Sequence, residues 1–255
     1  MVSTTATGIG PFPGMKRMPI TLAESWVEKR LSPRERGEPE ARARLIAEAR
    51  LLGLLRGPSF PRLFASGEDE LGPWHRVERI VLPTLAERLA RGPVGRDWLI
   101  RAIPVVFRAV ADLHEATDEH GPLAVVHGDP SPANFVLDDR AERAVLLDLD
   151  LASWRDAHRP FDGAFRGTLS YVAPEVARGE PPTVRSDLFA FAASLLEGLL
   201  GHAPRRGDSF PALLARAAEE PLDPGDAPPA LAACLAHDPA ARPASARAAL
   251  SLGLW

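Results

Sequence analysis

The chain has 255 residues, 45% hydrophobic and 25% charged, which excludes a disordered or collagen-like protein and supplies enough apolar material for a core. Its 30 basic and 34 acidic residues leave a formal charge of −4, so no global field draws it to nucleic acid or anionic lipid, and neither is expected as a partner. The single cysteine, Cys234, excludes an internal disulfide and a cysteine metal cluster and suits a reducing compartment.

Residues 1–37 are rich in Gly, Pro and charge. Within them Ser25 to Leu31 reads as a strand, in which alternation puts Val27, Lys29 and Leu31 on one face. The start, MVSTTATGIGPFPG, lacks the charged and apolar regions of a secretory signal, and a cytoplasmic location is expected. Lysine occurs only at Lys16 and Lys29, the other 28 basic residues being arginine. In a chain that writes arginine wherever either cation serves, a retained lysine points to a task for a compact ammonium.

A helix is predicted from Pro39 to Leu55, stopped by Gly57-Pro58. Ala41, Leu45, Glu48, Leu52 and Leu55 share one stripe of it, which places the Glu48 carboxylate among apolar neighbours. A buried carboxylate needs a cation or donors, and Lys29 on the preceding strand is the candidate. Between Arg30 and Arg50 arginines alternate with acids; together with Glu28, the carboxylates Glu35, Glu38, Glu40 and Glu48 predict a mixed-charge solvated face rather than a nucleic-acid surface.

Strand-like pieces follow at Phe60 to Ser66 and Trp74 to Leu82, then helices from Leu85 to Ala90 and Trp98 to Glu115, the latter containing Pro104. Apolar runs at Ala124 to Val126 and Phe135 to Leu137 flank the loop HGDPSPAN, and a third, Ala144 to Leu147, leads into DLD. From Ser186 the pattern is mostly helical, with a Pro/Gly/Asp-rich interruption from Pro221 to Pro229. The stretch Leu188 to Leu200, interrupted by Glu197, falls short of the roughly 18 apolar residues of a membrane span and reads as a buried helix.

Asp129 and Asn134 share a proline-stiffened loop, and Asp148 ends the next strand. Two carboxylates and an amide suit a hard, oxygen-liganded divalent cation, with one carboxylate left to orient a hydroxyl. Taken singly, each is an ordinary turn or capping residue; the arrangement carries the signal.

In these features the chain resembles the eukaryotic-type serine/threonine protein kinases found in bacteria, over nearly its whole length. WVEKRL resembles the strand of the phosphate-binding lysine, Lys29, and ARLIAEARLLGLL the helix of its partner, Glu48. HGDPSPANF is similar to the catalytic loop, making Asp129 the residue that accepts the substrate hydroxyl proton and Asn134 a metal ligand. DLD stands for D-F-G, with Asp148 the main magnesium ligand. GTLSYVAPE resembles the substrate-positioning segment, with Thr168 touching the catalytic aspartate; SDLFAFA makes Asp187 a structural aspartate, and HDPAARP makes Arg242 the buried partner of Glu175.

The resemblance implies an α+β, two-lobed fold in one domain spanning 1–255, with an N-lobe to about residue 79, a hinge near 78–83 and a mainly helical C-lobe from about 84. Nucleotide is expected between the lobes, with Val77 behind the adenine and backbone groups of Glu78 and Ile80 on its edge. The implied cofactors are ATP and Mg²⁺, and the implied reaction is phosphoryl transfer to Ser or Thr of a protein.

Departures from the pattern define the rivals. GIGPFPG, with Gly8 and Gly10, lies where a glycine-rich phosphate loop is expected, yet Pro11 and Pro13 remove N–H donors. Gly128 replaces an arginine that receives an activating phosphate in many members, which makes phosphorylation-independent activity the expectation. Ser131 replaces a lysine set against the γ-phosphate, and Asp150 replaces the glycine of D-F-G. These changes are the case for a pseudokinase, a nucleotide-binding or scaffold module. HGD is also similar to aminoglycoside-type small-molecule kinases, which generally lack the segment carrying Thr168 and Tyr171. Ser153, Thr168 and Ser170 are the candidate acceptors of autophosphorylation, while the sequence names neither a protein substrate nor an oligomeric state.

Overall fold

Strand alternation puts Glu28 and Lys29 on opposite faces of one small sheet, and both faces bury charge. The computed structural model describes residues 20–157, 166–253 and 255. The chain divides into two compact units, residues 1–81 and 82–255.

In the first unit, β1 (Ile20–Leu22), β2 (Trp26–Arg30), β3 (Leu63–Asp69) and β4 (Gly72–Glu78) form an antiparallel sheet in the order β1-β2-β4-β3. Helix α1 (Pro39–Leu54) packs on β3 and β4, with Pro39 in its first turn. Across β2 and β4, Glu28 pairs with Arg76 and Lys29 with His75. Strand β3 starts at Leu63 rather than Phe60, just beyond Pro61, which has no N–H for a ladder. Strand β4 ends at Glu78 rather than Leu82, because its partner β2 begins at Trp26, the residue opposite Glu78.

The expected mixed-charge solvated face is corrected here, since Glu28 and Glu35 are buried, as is Glu48, which the helical stripe had placed among apolar neighbours. Each is buried because donors reach it. Glu28 accepts from Arg30 Nε at 2.6 Å and Arg76 Nε at 2.7 Å. Burial alone would raise its pKa, but the two guanidinium groups hold it below the usual carboxylate value. The Arg76 guanidinium also stacks over Trp26 at 4.5 Å and Trp74 at 5.0 Å. Glu35 accepts from the Ser32 backbone N–H at 3.0 Å and the Ser32 hydroxyl at 2.5 Å.

The second unit is mainly helical. Helix α2 (Leu85–Ala90) begins in a capping box of Thr84 and Glu87, and α3 (Arg96–His114) accommodates Pro104. After the short hairpin β5 (Thr117–Asp118) and β6 (Gly121–Pro122), strands β7 (Phe135–Leu137) and β8 (Ala144–Leu146) pair antiparallel. Then come α4 (Pro174–Ala177), α5 (Val184–Leu200), α6 (Phe210–Glu219), α7 (Pro229–Cys234) and α8 (Ala246–Ser251). Helix α5 is buried along most of its length, as its apolar run requires, and packs on α3 and α7. Ala124 to Val126 does not form a strand; Ala124 at φ 53° breaks the extended run, and Val126 alone bridges to Ser153. Among the described residues no helix is long and apolar enough to cross a membrane.

Two buried side chains tie α4 to the C-terminal part. Arg242, 3% exposed, donates to Glu175 Oε1 and Oε2 at 2.6 and 2.8 Å, and also to the carbonyls of Ala236, His237 and Arg185. Such a fork stabilises only while intact, because removing one member strands the other charge. Arg242→Met is expected to cost roughly 3–5 kcal/mol in urea denaturation, and adding Glu175→Gln to recover part of that loss.

Candidate active site

Charge pairing sets the candidate residues of the first unit. Lys29 Nζ donates to Glu48 Oε2 at 2.8 Å and Oε1 at 3.1 Å, and the Glu48 side chain is 4% exposed. Strand alternation aims Lys29 at the face covered by α1, and the helical stripe aims Glu48 back at it. His75, opposite Lys29 on β4, brings Nε2 to 3.8 Å from Glu48 Oε2. Val77 lies opposite Val27 and is half-buried. The Glu78 N–H donates to the Arg62 carbonyl at 2.8 Å and is thereby committed within the first unit. Ile80 is half-buried just beyond β4. Gly8 and Gly10 lie outside the described residues.

The candidate residues of the second unit centre on the loop between Val126 and Phe135, held by Asp187 of α5. Asp187 Oδ2 accepts from the His127 N–H at 2.6 Å, and Oδ1 from the Gly128 N–H at 3.1 Å. His114 Nε2 lies 3.1 Å from Oδ2. The His127 ring sits 3.1 Å from the Leu147 carbonyl and meets Phe191 edge-on. Gly128 has φ 85°, and a Cβ there would lie 2.5 Å from the Leu151 carbonyl oxygen. A side chain at this position would therefore require the Leu151 backbone to move.

These anchors present Asp129. Its Oδ1 accepts the Thr168 N–H at 2.8 Å, while Asn134 Nδ2 donates to its carbonyl at 2.8 Å and lies 3.3 Å from its Oδ2. Asn134 is held in turn by its N–H to the Ser131 carbonyl at 2.9 Å and its carbonyl to the Leu147 N–H at 2.8 Å. Ser131 is buried within the loop. Burial pushes the Asp129 pKa up to about 6; the Thr168 hydroxyl and His127 oppose that rise, and Asp148 adds to it.

Asp148 follows the strand-end residue bonded to Asn134 and adopts φ 57°, a left-handed conformation that aspartate tolerates better than most residues. Its side chain reaches the surface. The Asn134 amide nitrogen is committed to Asp129, which leaves the amide oxygen as the atom for a cation, and Asp148 adds a carboxylate. This hard-oxygen donor set fits magnesium, which takes one or two protein ligands and completes its shell with water and phosphate. Among the described residues no three His, Cys, Asp or Glu side chains form a closed metal cluster.

Beside Asp129 lies a cavity lined by Gly128, Pro130, Thr168, Tyr171, Val172 and Ala173. The Tyr171 hydroxyl donates to Glu197 of α5, and burial, with that hydrogen bond, pushes the phenol pKa up, so it remains neutral. Sequence reasoning missed this contact, although a lone glutamate in an apolar helix was its signal. It also missed His114 and Arg205, neither of which any periodicity marks.

Residues 19–222 match the model of the protein kinase domain. The chain is 33% identical over 202 residues to the DNA damage-responsive serine/threonine-protein kinase RqkA of Deinococcus radiodurans, covering 76% of this chain and 29% of that protein. It is 32% identical over 223 residues to the serine/threonine-protein kinase PknD of Mycobacterium tuberculosis, covering 85% of this chain and 32% of PknD. Over 183 residues it is 28% identical to PknL of the same organism, covering 71% of this chain and 44% of PknL. The aligned regions thus span less than half the length of these relatives.

A carboxylate whose folded pKa is raised destabilises the fold above that pKa and costs nothing once both states are protonated. The penalty from Asp129 therefore grows as pH rises from about 4 to about 6 and persists above it. Asp129→Asn is expected to stabilise the metal-free protein by roughly 1–3 kcal/mol at pH 8 and by little at pH 4, read by denaturant melts at the two pH values.

Proposed function

The chain belongs to the protein kinase family, and from that premise we propose that it transfers the γ-phosphoryl group of Mg·ATP to serine or threonine hydroxyls of a protein. The observation that carries this reading is the setting of Asp129: half-buried, oriented from one side by Thr168 and backed on the other by Asn134. With Oδ1 engaged by the Thr168 N–H, Oδ2 is the oxygen that accepts the hydrogen bond of an incoming hydroxyl. That hydroxyl oxygen forms the new bond to Pγ, the bond from Pγ to the β,γ-bridging oxygen breaks, ADP leaves, and the hydroxyl proton passes to Asp129 and then to solvent.

In this reading the unit ending at Val81 is the N-lobe and the unit beginning at Leu82 the C-lobe. Lys29, fixed by Glu48, holds nucleotide phosphates as a compact point charge. Val77, the Glu78 carbonyl and the backbone of Ile80 form the adenine side, and Gly8 and Gly10 remain candidates for the phosphate loop. Asp148 and the Asn134 amide oxygen are the proposed ligands of Mg²⁺, which when bound supplies neutralisation of phosphate charge. Ser131, lacking a charge, leaves phosphate neutralisation to Lys29 and the metal, and turnover slower than in relatives with a lysine there is expected. Most of the rate enhancement comes from positioning and electrostatics.

The presence together of Lys29, Asp129, Asn134 and Asp148 favours a catalyst over a scaffold. The complete segment from Gly167 to Glu175 favours a protein acceptor over a small molecule. A cytoplasmic setting supplies the ATP, and neither nucleic acid nor a membrane has a role in the reaction.

The test follows labelled γ-phosphate from Mg·ATP into the protein itself, a generic protein acceptor and water. Transfer to Ser or Thr that falls by roughly 10²–10⁴-fold in Asp129→Asn is the expected result. Transfer equal in the two proteins would overturn the role of Asp129, and no transfer to any acceptor would overturn the kinase reading.

A further inference from the structure

Arg205 lies in the loop between α5 and α6, yet it is only 5% exposed. Its Nη1 donates to the Val172 carbonyl at 2.7 Å, and its Nη2 reaches the Glu220 carbonyl at 3.4 Å. The guanidinium lies 5.2 Å from the Phe189 ring centroid, and among the described residues Nε has no hydrogen-bond partner. Among the described residues no carboxylate pairs with it, and burial pulls its pKa down to about 10. An apolar side chain of similar length would fill the space over Phe189 without that desolvation cost. The charge is thus held for one strong contact, the Val172 carbonyl.

Val172 occupies a telling position. Its side chain packs with Leu169 against Leu213 and Ala217 of α6, and it lines the cavity beside Asp129. Four residues earlier, Thr168 donates its N–H to Asp129. Tyr171, next to Val172, is tied to Glu197, and Glu175, just beyond, is tied to Arg242. The segment from Thr168 to Glu175 is thus held by its Thr168 N–H at one end and its Glu175 side chain at the other, while Arg205 holds the Val172 carbonyl between them.

We infer that Arg205 is a positioning residue for the protein acceptor: by fixing the Val172 carbonyl, it sets the rim of the cavity in which the residues flanking the acceptor hydroxyl lie. The inference rests on the proposed kinase activity for its functional consequence, and its structural half stands alone. Arg205→Met keeps the packing over Phe189 and removes the donor; Arg205→Lys keeps a charge and a donor.

Two readouts on the whole chain decide it. Amide hydrogen exchange across 168–173 is expected to speed up roughly tenfold in Arg205→Met, with the amides of α5 unchanged and with Arg205→Lys recovering part of the protection. In phosphoryl transfer, kcat/KM for a protein acceptor is expected to fall roughly tenfold or more in Arg205→Met, while KM for Mg·ATP stays within about twofold. Unchanged exchange at 168–173, or equal loosening of α5, overturns the inference, as does an equal loss in both KM values. Absence of transfer by the unsubstituted chain counts against the kinase reading alone, because the exchange measurement still decides the role of Arg205.

Discussion

Buried charge must be matched, and in this protein that requirement organises each functional segment. A carboxylate taken out of water without donors costs several kcal/mol, so its partners are fixed wherever it is buried. Glu48 fixes Lys29, Glu28 fixes Arg30 and Arg76, Glu175 fixes Arg242, and Asp187 fixes the backbone of His127 and Gly128. The apolar core positions helices and strands to within a side chain's reach; these pairs define which atoms meet.

Asp129 differs from these carboxylates in a way that gives the arrangement its use. It is half-buried rather than buried, its donors are Thr168 and Asn134, and its pKa rises to about 6. A carboxylate whose pKa is raised retains the basicity needed to take a hydrogen bond from an incoming hydroxyl. The fold carries that cost through Asp187 below the loop and through the segment that Arg205 and Arg242 secure. Stability at these anchors and chemistry at Asp129 are two sides of one electrostatic design.

Much of this was legible in the sequence because it follows short-range periodicity. Alternation over Ser25 to Leu31 and the helical stripe through Leu45, Glu48 and Leu52 together foretell the Lys29 to Glu48 contact, since alternation sets Lys29 with Val27 and Leu31 and the stripe leaves the Glu48 carboxylate in need of a cation. The loop holding Asp129 and Asn134 stands out because apolar runs flank it. What was not legible depends on distant chain or on local turns that residue type does not announce. Glu28 looked solvated until Arg76 arrived from β4, and Glu35 until its donors at Ser32 closed over it. Ala124 interrupts an apolar run by a left-handed turn that no residue type announces. Arg205, beside Arg206 in a polar loop, reads as surface until Phe189 and the Val172 carbonyl are in place.

The most direct measurement is a double-mutant cycle on Mg·ATP affinity by calorimetry, using the unsubstituted chain, Lys29→Met, Glu48→Gln and the pair together. If Glu48 serves to fix the ammonium against phosphate, each single change weakens binding by roughly tenfold, and the double change is little worse than Lys29→Met alone. Independent, additive losses, or affinity untouched by either substitution, would contradict the claim that this buried pair builds the phosphate-binding charge.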